Sequence, residues 1–440
     1  MIVFQTRRTL YLLAVPGLLL LAWKGIRFQA SAAPPGVSDP TFHDFNGVCN
    51  LPAPEVVRQL GLGWTRADFQ WGTVEPEKGK WVWDKTDQLV ATAHADSMEI
   101  LPVLDYTAPW AEAVKGQQTG PPEHVQDWED YVDHVVARYS HPPFSLRYFQ
   151  IWNEPTREAG FWRGATNRDF IDTIYLPAAK IVRRYNARVV FSGWPHSNSL
   201  AELDGLLSDH DAWRSTDILD VHYFGGSAWQ HLYDYWLAAG KCSGIWQTEI
   251  GFTDNADYLP NTYLRALEWA LGSGWRDPDQ YKVFWYANWG AGKDALKCLS
   301  TTVQGKIVLT TNGQRLAAMN DALGGGALAS FTQFQTTPSL PSTLDESKAT
   351  ALGFKVGDSR TVVALLLNKV GYQSYSSISV HASLGFRPKR VEVVTASGQR
   401  RALDAVYTSR GVQVTVPLKN MQDECTNCAW IVAYVEFEAS

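Results

Sequence analysis

The chain has 440 residues, more than one ordinary domain needs and enough for a large domain with a smaller companion. Its 39 Lys and Arg against 45 Asp and Glu leave a net charge of −6 with His neutral, and no basic stripe breaks that balance, so nucleic acid is excluded as an expected partner. Aromatic content stands out, with 19 Trp, 18 Tyr and 18 Phe; Trp is seldom buried completely, so this many implies that some line a groove, an aromatic-rich core being the plainer reading.

Arg7 and Arg8 precede an apolar run from Leu10 to Trp23, and Ala30-Ser31-Ala32 follows as a small-x-small cleavage pattern. Residues 1–32 therefore read as an export signal. The run is shorter than the ~20 apolar residues of a membrane span; an uncleaved anchor is the alternative, and the one route by which the chain would meet a membrane. The expected location is secreted or periplasmic. Cys49, Cys242, Cys298, Cys425 and Cys428 are an odd number for such a compartment. Cys425 and Cys428 suit a small local disulfide, a zinc site there lacks two further ligands, and at least one buried thiol is expected to stay free.

Phe45–Cys49 reads as a first strand and Pro54–Leu60 as a helix ended by Gly61 and Gly63. Trp64–Phe69 is a second strand, Asp84–His94 a helix, and Ile100–Tyr106 a third strand with an irregular Pro102. Trp128–Tyr139 is an amphipathic helix. Tyr148-Phe149-Gln150-Ile151-Trp152-Asn153-Glu154-Pro155 is a fourth, buried strand that ends in a carboxylate. A long helix follows over Phe170–Tyr185, with a kink expected at Pro177. Val189–Trp194, Ile218–Phe224, Gly244–Phe252 and Lys282–Trp289 are strands five to eight. Tyr263–Leu271 and Gln314–Leu323 are helices. Eight strands, most separated by helical segments, over about 280 residues are the signature of a (β/α)8 TIM barrel, placed at 42–323. Beyond Gly324-Gly325-Gly326 the pattern changes to short alternating segments: Val362–Leu367, Ser377–Val380, Arg390–Val394, Val412–Val416 and Ile431–Phe437. They predict a C-terminal antiparallel β-sandwich at 327–440, packed on the barrel without a long linker. Its expected role is structural, with sugar binding as the alternative.

Catalytic groups of such barrels sit at the C-terminal ends of the strands. Glu154 and Glu249 both occupy that position, each near a Trp, and so do His222, Tyr223 and Trp289. Two carboxyl groups facing one bond are the requirement of glycoside hydrolysis, and flat sugar faces stack on aromatic rings.

Ile151-Trp152-Asn153-Glu154-Pro155 resembles the acid/base motif of the large barrel clan of retaining glycoside hydrolases, and Thr248-Glu249-Ile250-Gly251-Phe252 resembles its nucleophile segment. Barrel plus C-terminal sandwich is most similar to glycoside hydrolase family 39 and relatives, which include β-xylosidases, iduronidases and exopolysaccharide endoglycosidases; Trp71 through Trp83 resembles their loop after strand two. The resemblance implies roles by position. Glu154 is the acid/base and Glu249 the nucleophile. Asn153 bonds the sugar 2-hydroxyl, Arg66 keeps Glu249 ionised, Tyr223 donates to Glu249, and His222 lines the same wall. Trp285 or Trp289 forms the floor under the sugar, and Trp110 is a platform along the groove. His196 after strand five faces the groove without a motif.

The expected activity is a retaining O-glycosidase acting on a β-linked poly- or oligosaccharide, with carboxyl groups about 5–5.5 Å apart rather than ~6.5–9.5 Å. Glu154 is expected to hold its proton at rest. Trp110 and Trp71 lean towards an open groove and endo action. No cofactor or metal is expected: a metallohydrolase barrel would need several His and Asp at its strand ends, where His222 stands largely alone, and Lys282 begins its strand instead of ending it. The expected partner is carbohydrate, and the expected state is a monomer. A non-catalytic sugar-binding or scaffold protein on the same barrel is the alternative.

Overall fold

The computed structural model describes residues 39–253, 258–290, 292–337, 350–368, 375–419, 421 and 430–439. The export signal and the Cys425–Cys428 pair lie outside them. Among the described residues no helix is long and apolar enough to cross a membrane.

Eight parallel strands close into a ring: β1 (Asn46–Cys49), β2 (Trp64–Asp68), β3 (Glu99–Leu104), β4 (Tyr148–Ile151), β5 (Arg188–Val190), β6 (Ile218–His222), β7 (Gly244–Ile250) and β8 (Tyr281–Trp285). Each pairs with its successor in sequence, β5 meets β6 at Val190 and Ile218, and β8 returns to β1. Both faces of the ring are covered, so β1, β4, β6 and β8 are buried along their whole length, β4 and β8 as mainly apolar runs. Inward-pointing Trp64, Leu101, Tyr148, Val190, Ile218, Trp246 and Phe284 fill the lumen as one cluster. At its lower end Lys282 is fully buried. Its ammonium donates to Asp44 O and Pro278 O, 2.9 Å each, and lies 4.3 Å from the Trp64 ring centroid. Burial lowers it to about 8.

The local departures from the expected elements have identifiable causes. The helix at Pro54–Leu60 ends as read, with Gly61 in the left-handed region at φ 60°. Pro102 pairs with Ala67 of β2, whereas β4 joins β3 only from Val103 onward. The missing N–H therefore falls below the stretch where the β4 side needs a donor. The long helix is built of Asn167–Phe170, a π-turn Ile171–Tyr175 and Leu176–Arg184. The wide turn lies directly before Pro177 and takes up the missing backbone donor. The expected fifth strand is broken after Val190, resuming as Trp194–Pro195. Gly193 stands in the break at φ 65°, where a Cβ would come 2.3 Å from His222 Nε2. Strand eight stops at Trp285, and a hairpin, Ser300–Val303 with Lys306–Leu309, follows it.

The C-terminal part is a β-sandwich. Six strands run in the spatial order Leu328–Ser330, Thr350–Val356, Arg360–Asn368, Trp430–Glu438, Arg390–Thr395, Arg400–Ala402, and four in the order Phe334–Thr337, Ser377–Ala382, Gly411–Pro417, Ala405–Thr408. Val363, Leu365 and Leu367 meet Ile378, Val380, Val412, Val414 and Val416 between the sheets. The alternate residues Val362, Ala364 and Leu366 join the barrel's own core. The central strands are thus buried on both faces, and the sandwich is continuous with the barrel's outer layer, as expected from the short connection. Arg400 reinforces the junction, reaching Asp321 of the last barrel helix (2.5 Å) and Glu436 of the sandwich (3.0 Å).

Candidate active site at the C-terminal mouth of the barrel

Two backbone irregularities aim the two glutamates. At the end of β4, Trp152 (φ 65°) and Glu154 (φ 44°) are both left-handed, a conformation costing roughly 1–2 kcal/mol per L-residue. Neighbouring strand ends hold it: Trp152 N–H donates to Leu104 O (2.8 Å), and Glu154 N–H donates to Ser192 O (2.8 Å). The turn brings the side chains of both Asn153 and Glu154 into the mouth. In β7 the register slips against β6 between Asp220 and His222 and against β8 between Gln247 and Ile250. This irregularity re-aims the side chain of Glu249, as bulges beside functional sites do.

The carboxyls converge. Oxygens of Glu154 and Glu249 and a ring nitrogen of His222 lie within 4.8 Å of one another. His222 Nδ1 is 2.9 Å from Glu154 Oε1 and 3.7 Å from Glu249 Oε2. Arg66 Nη1 stands 3.6 Å from Glu249 Oε2, while its other nitrogens donate to Gln150 Oε1 (2.9 Å) and Asn153 Oδ1 (2.6 Å). A guanidinium has only donors, so this contact fixes the Asn153 amide with its NH2 turned the other way, towards Tyr106 Oη at 3.3 Å. Tyr223 donates its phenol proton to Glu249 Oε1 (3.2 Å). Beneath the pair, Asp220 accepts from Thr248 N–H (2.9 Å) and Thr248 Oγ1 (2.6 Å), and Thr248 Oγ1 lies 3.1 Å from His222 Nε2.

The charges do not rest as the sequence reading expected. His222 is fully buried, which by itself disfavours its cation. The hydrogen bond to Glu154, with the negative charges of Asp220, 3.7 Å from Nε2, and of Glu249, outweighs that and raises it to about 9. Glu154 is pushed up by burial, but the His222 hydrogen bond and charge reverse the effect and leave it below the usual carboxylate range. Glu249 is raised, because burial exceeds the opposing pull of His222 and Arg66. The resting proton of the Glu154–His222 pair therefore sits on the imidazole, not on Glu154. The same three groups are the only close set of metal-ligand types among the described residues. Arg66 and His222 already neutralise the carboxylates there, so a divalent ion would compete with cations built into the fold.

The expected aromatic platforms are sorted by strand parity. On β8, Phe284 points into the lumen, so Trp285 points out. It is fully buried against the helix layer, with Nε1 donating to Lys297 O (2.7 Å), and cannot be the floor. Tyr286, which parity returns to the lumen side, is the half-buried ring beside Glu249; burial and the Glu249 charge push its phenol up to about 12. Period-two counting from Lys282 would have found it. Trp289 is 64% exposed on the rim. Trp110 is half-buried against the main core, set edge-on to Trp71 and tied to Glu75 O (2.8 Å). Trp71 is fully buried, stacked on Tyr131, so it does not line a groove. Most tryptophans belong to the core, the plainer of the two readings. His196 is exposed at the mouth, 5.7 Å from the Tyr223 ring. Two residues that carried no signal in the sequence also reach this area. Tyr106 bonds Asn153, and Phe161, from the loop after β4, stacks on Tyr106 at 6.2 Å and 13°. Cys49, Cys242 and Cys298 are free thiols, and Cys49 is buried with Sγ 3.2 Å from Thr248 O.

No protein-family model and no curated protein sequence matches the chain. Solved structures do. A family 39 glycoside hydrolase from Bacteroides cellulosilyticus WH2 is 16% identical with a TM-score of 0.61, over 91% of this chain and 81% of that one. A family 30 endoxylanase from Clostridium papyrosolvens C71 is 14% identical with a TM-score of 0.60, over 92% and 98%. A glucosidase from Croceicoccus marinus is 14% identical with a TM-score of 0.56, over 91% and 97%. The chain therefore shares with these glycoside hydrolases one architecture, a closed eight-stranded parallel barrel followed by a β-sandwich.

Proposed function

We propose that the protein is a retaining glycoside hydrolase, similar to family 39, that cleaves a β-linked poly- or oligosaccharide outside the cytoplasm. The observation that carries this reading is the approach of the Glu154 and Glu249 carboxyl oxygens to within 4.8 Å at the barrel mouth. That approach supports direct attack by one carboxylate, being closer to the ~5–5.5 Å of retaining enzymes than to the ~6.5–9.5 Å that admits the water of an inverting mechanism. In the proposed sequence, Glu249 attacks the anomeric carbon while Glu154 protonates the leaving oxygen. The proton comes to Glu154 from His222 Nδ1, 2.9 Å away. Water, deprotonated by Glu154, then releases the sugar from Glu249. Asn153, with its NH2 turned from Arg66, is oriented to bond the 2-hydroxyl. Tyr223 and Arg66 hold the two oxygens of Glu249, one each. Tyr286 takes the place first given to Trp285 as the apolar surface under the sugar, and Trp289 and Phe161 extend the rim. The proposed division is a catalytic barrel at 42–323 and a supporting sandwich at 327–440.

Activated 2-deoxy-2-fluoro glycosides of several configurations, followed by peptide mass spectrometry, test this assignment. The expected result is one stable glycosyl adduct on Glu249. An adduct on another side chain, or a product of inverted anomeric configuration, would refute it.

A further inference from the structure

We infer that Lys297 is a specificity residue that selects a sugar carrying an oxyanion on its C5 substituent, the carboxylate of a hexuronic acid or an ester at O6. The inference rests on the hydrolase reading above and names its substrate class.

Lys297 lies in the loop after β8, and the fold places it deliberately. The buried Trp285 indole N–H fixes its backbone carbonyl (2.7 Å). Gly251 leaves its stem a path: a Cβ there would stand 3.2 Å from Lys297 Cδ. The ammonium is thereby held between the Tyr223 and Tyr286 rings, 5.6 and 5.0 Å from their centroids. The side chain is only 16% exposed. Yet its polar partners among the described residues are poor: Tyr223 Oη at 3.5 Å and Asp294 Oδ1 at 3.3 Å, the latter on a largely exposed side chain of the rim. A mostly covered ammonium with two long contacts retains donor capacity for a better acceptor.

The position of that acceptor follows from the two sides of Glu249. Oε2 faces Arg66 and, through it, Asn153; Oε1 faces Tyr223 and, one phenol oxygen further, Lys297. The anomeric carbon has C2 on one flank and the ring oxygen with C5 on the other. A sugar whose 2-hydroxyl meets Asn153 must turn its ring oxygen and C5 substituent to the Tyr223–Tyr286–Lys297 wall. A carboxylate or ester oxyanion there receives a charge-assisted hydrogen bond that a hydroxymethyl group receives only weakly.

The test uses 2-deoxy-2-fluoro glycosyl fluorides in gluco, galacto and manno configuration, each as the C6 alcohol, the C6 carboxylate and the O6 sulfate. Rates of adduct formation are measured for the wild type, Lys297→Met and Lys297→Arg. The expected result is about a 10- to 100-fold preference of the wild type for one anionic form over its alcohol, the range of a charged hydrogen bond. Lys297→Met should bring the anion-to-alcohol rate ratio down to about 1, whatever it does to the two rates together. Lys297→Arg should keep the preference. The favoured anionic arm tells carboxylate from ester. Alcohols that react as fast as their anions, or a Met variant that loses both equally, overturn the inference and leave the hydrolase standing. No adduct with any compound overturns both.

Discussion

Removal of His222 by the His222→Gln substitution tests where the catalytic proton rests. Thr248 has one hydroxyl proton, and Asp220 Oδ2 takes it at 2.6 Å. Thr248 Oγ1 must then accept from His222 Nε2–H, 3.1 Å away, which fixes that ring proton. The other, on Nδ1, is the one shared with Glu154 at 2.9 Å. On the proposed mechanism, the pair is active while it holds this proton, whichever atom carries it, so its loss is a property of the pair. Asp220, Glu154 and Glu249 together raise His222 from 6.5 to about 9 despite burial, roughly 3 kcal/mol in favour of the imidazolium. The alkaline limb of the wild-type kcat/KM profile is therefore expected near pH 9. In His222→Gln the store is gone and Glu154 must hold the proton itself. The limb should fall by about one pH unit or more, each unit being worth ~1.36 kcal/mol. Full pH–rate profiles on any aryl glycoside that is turned over would show it. An unmoved limb in the variant, or a wild-type limb near 6.5, would refute the reasoning.

The same linkage reaches stability. The raised His222 contributes fully below its unfolded value of 6.5, and that contribution is lost as pH rises through about 9. Melting temperatures of wild type should decline across this window more steeply than those of His222→Gln. Gly193→Ala imposes a side chain at φ 65° and a Cβ 2.3 Å from His222 Nε2, whereas Gly398→Ala imposes the backbone cost alone at φ 87°, with nothing within 4 Å. Both should lose ~1–2 kcal/mol in denaturant titrations, but only Gly193→Ala should lose more than that and also lower kcat. Equal losses would show that the His222 contact is tolerated. Asp105 is fully buried, has neither carboxyl oxygen paired among the described residues, and is raised well above the usual range by burial and the Asp68 charge. A raised carboxyl gives its full stability below the unfolded pKa, ~3.9, and loses it as pH rises. Asp105→Asn should therefore raise the melting temperature at pH 7 relative to its effect at pH 4. The same change at both values would show that Asp105 is charged in the fold.

Much of this protein was legible in its residues because the relevant physics is local. Runs such as Tyr148–Ile151 and Tyr281–Trp285 can only be strands covered on both faces, and the spacing of eight such runs dictates a barrel and so the end at which Glu154 and Glu249 must lie. Of the five sandwich strands that were read, Ser377–Ala382 and Gly411–Pro417 alternate, whereas Arg360–Asn368 and Trp430–Glu438 are continuous apolar runs buried on both faces. Short edge strands such as Arg400–Ala402, exposed along their length, gave no pattern to read. The hairpin after β8 turns on Gln304 (φ 51°) and Gly305 (φ 75°), not on the Asn-Gly or Asp-Gly that would have announced it. Tertiary structure decided the rest. Which of Trp285, Tyr286 and Trp289 faces the barrel mouth depends on where strand eight stops and on the parity of its last residue. The protonation of Glu154 depends on His222 and Asp220, which the chain brings to it from 68 and 66 positions away. Sequence spells out which groups stand at the ends of strands, since pattern and period are properties of neighbours along the chain. Distance, burial and mutual charge belong to groups that meet only on folding, and they alone set where the proton sits and which ring lines the mouth.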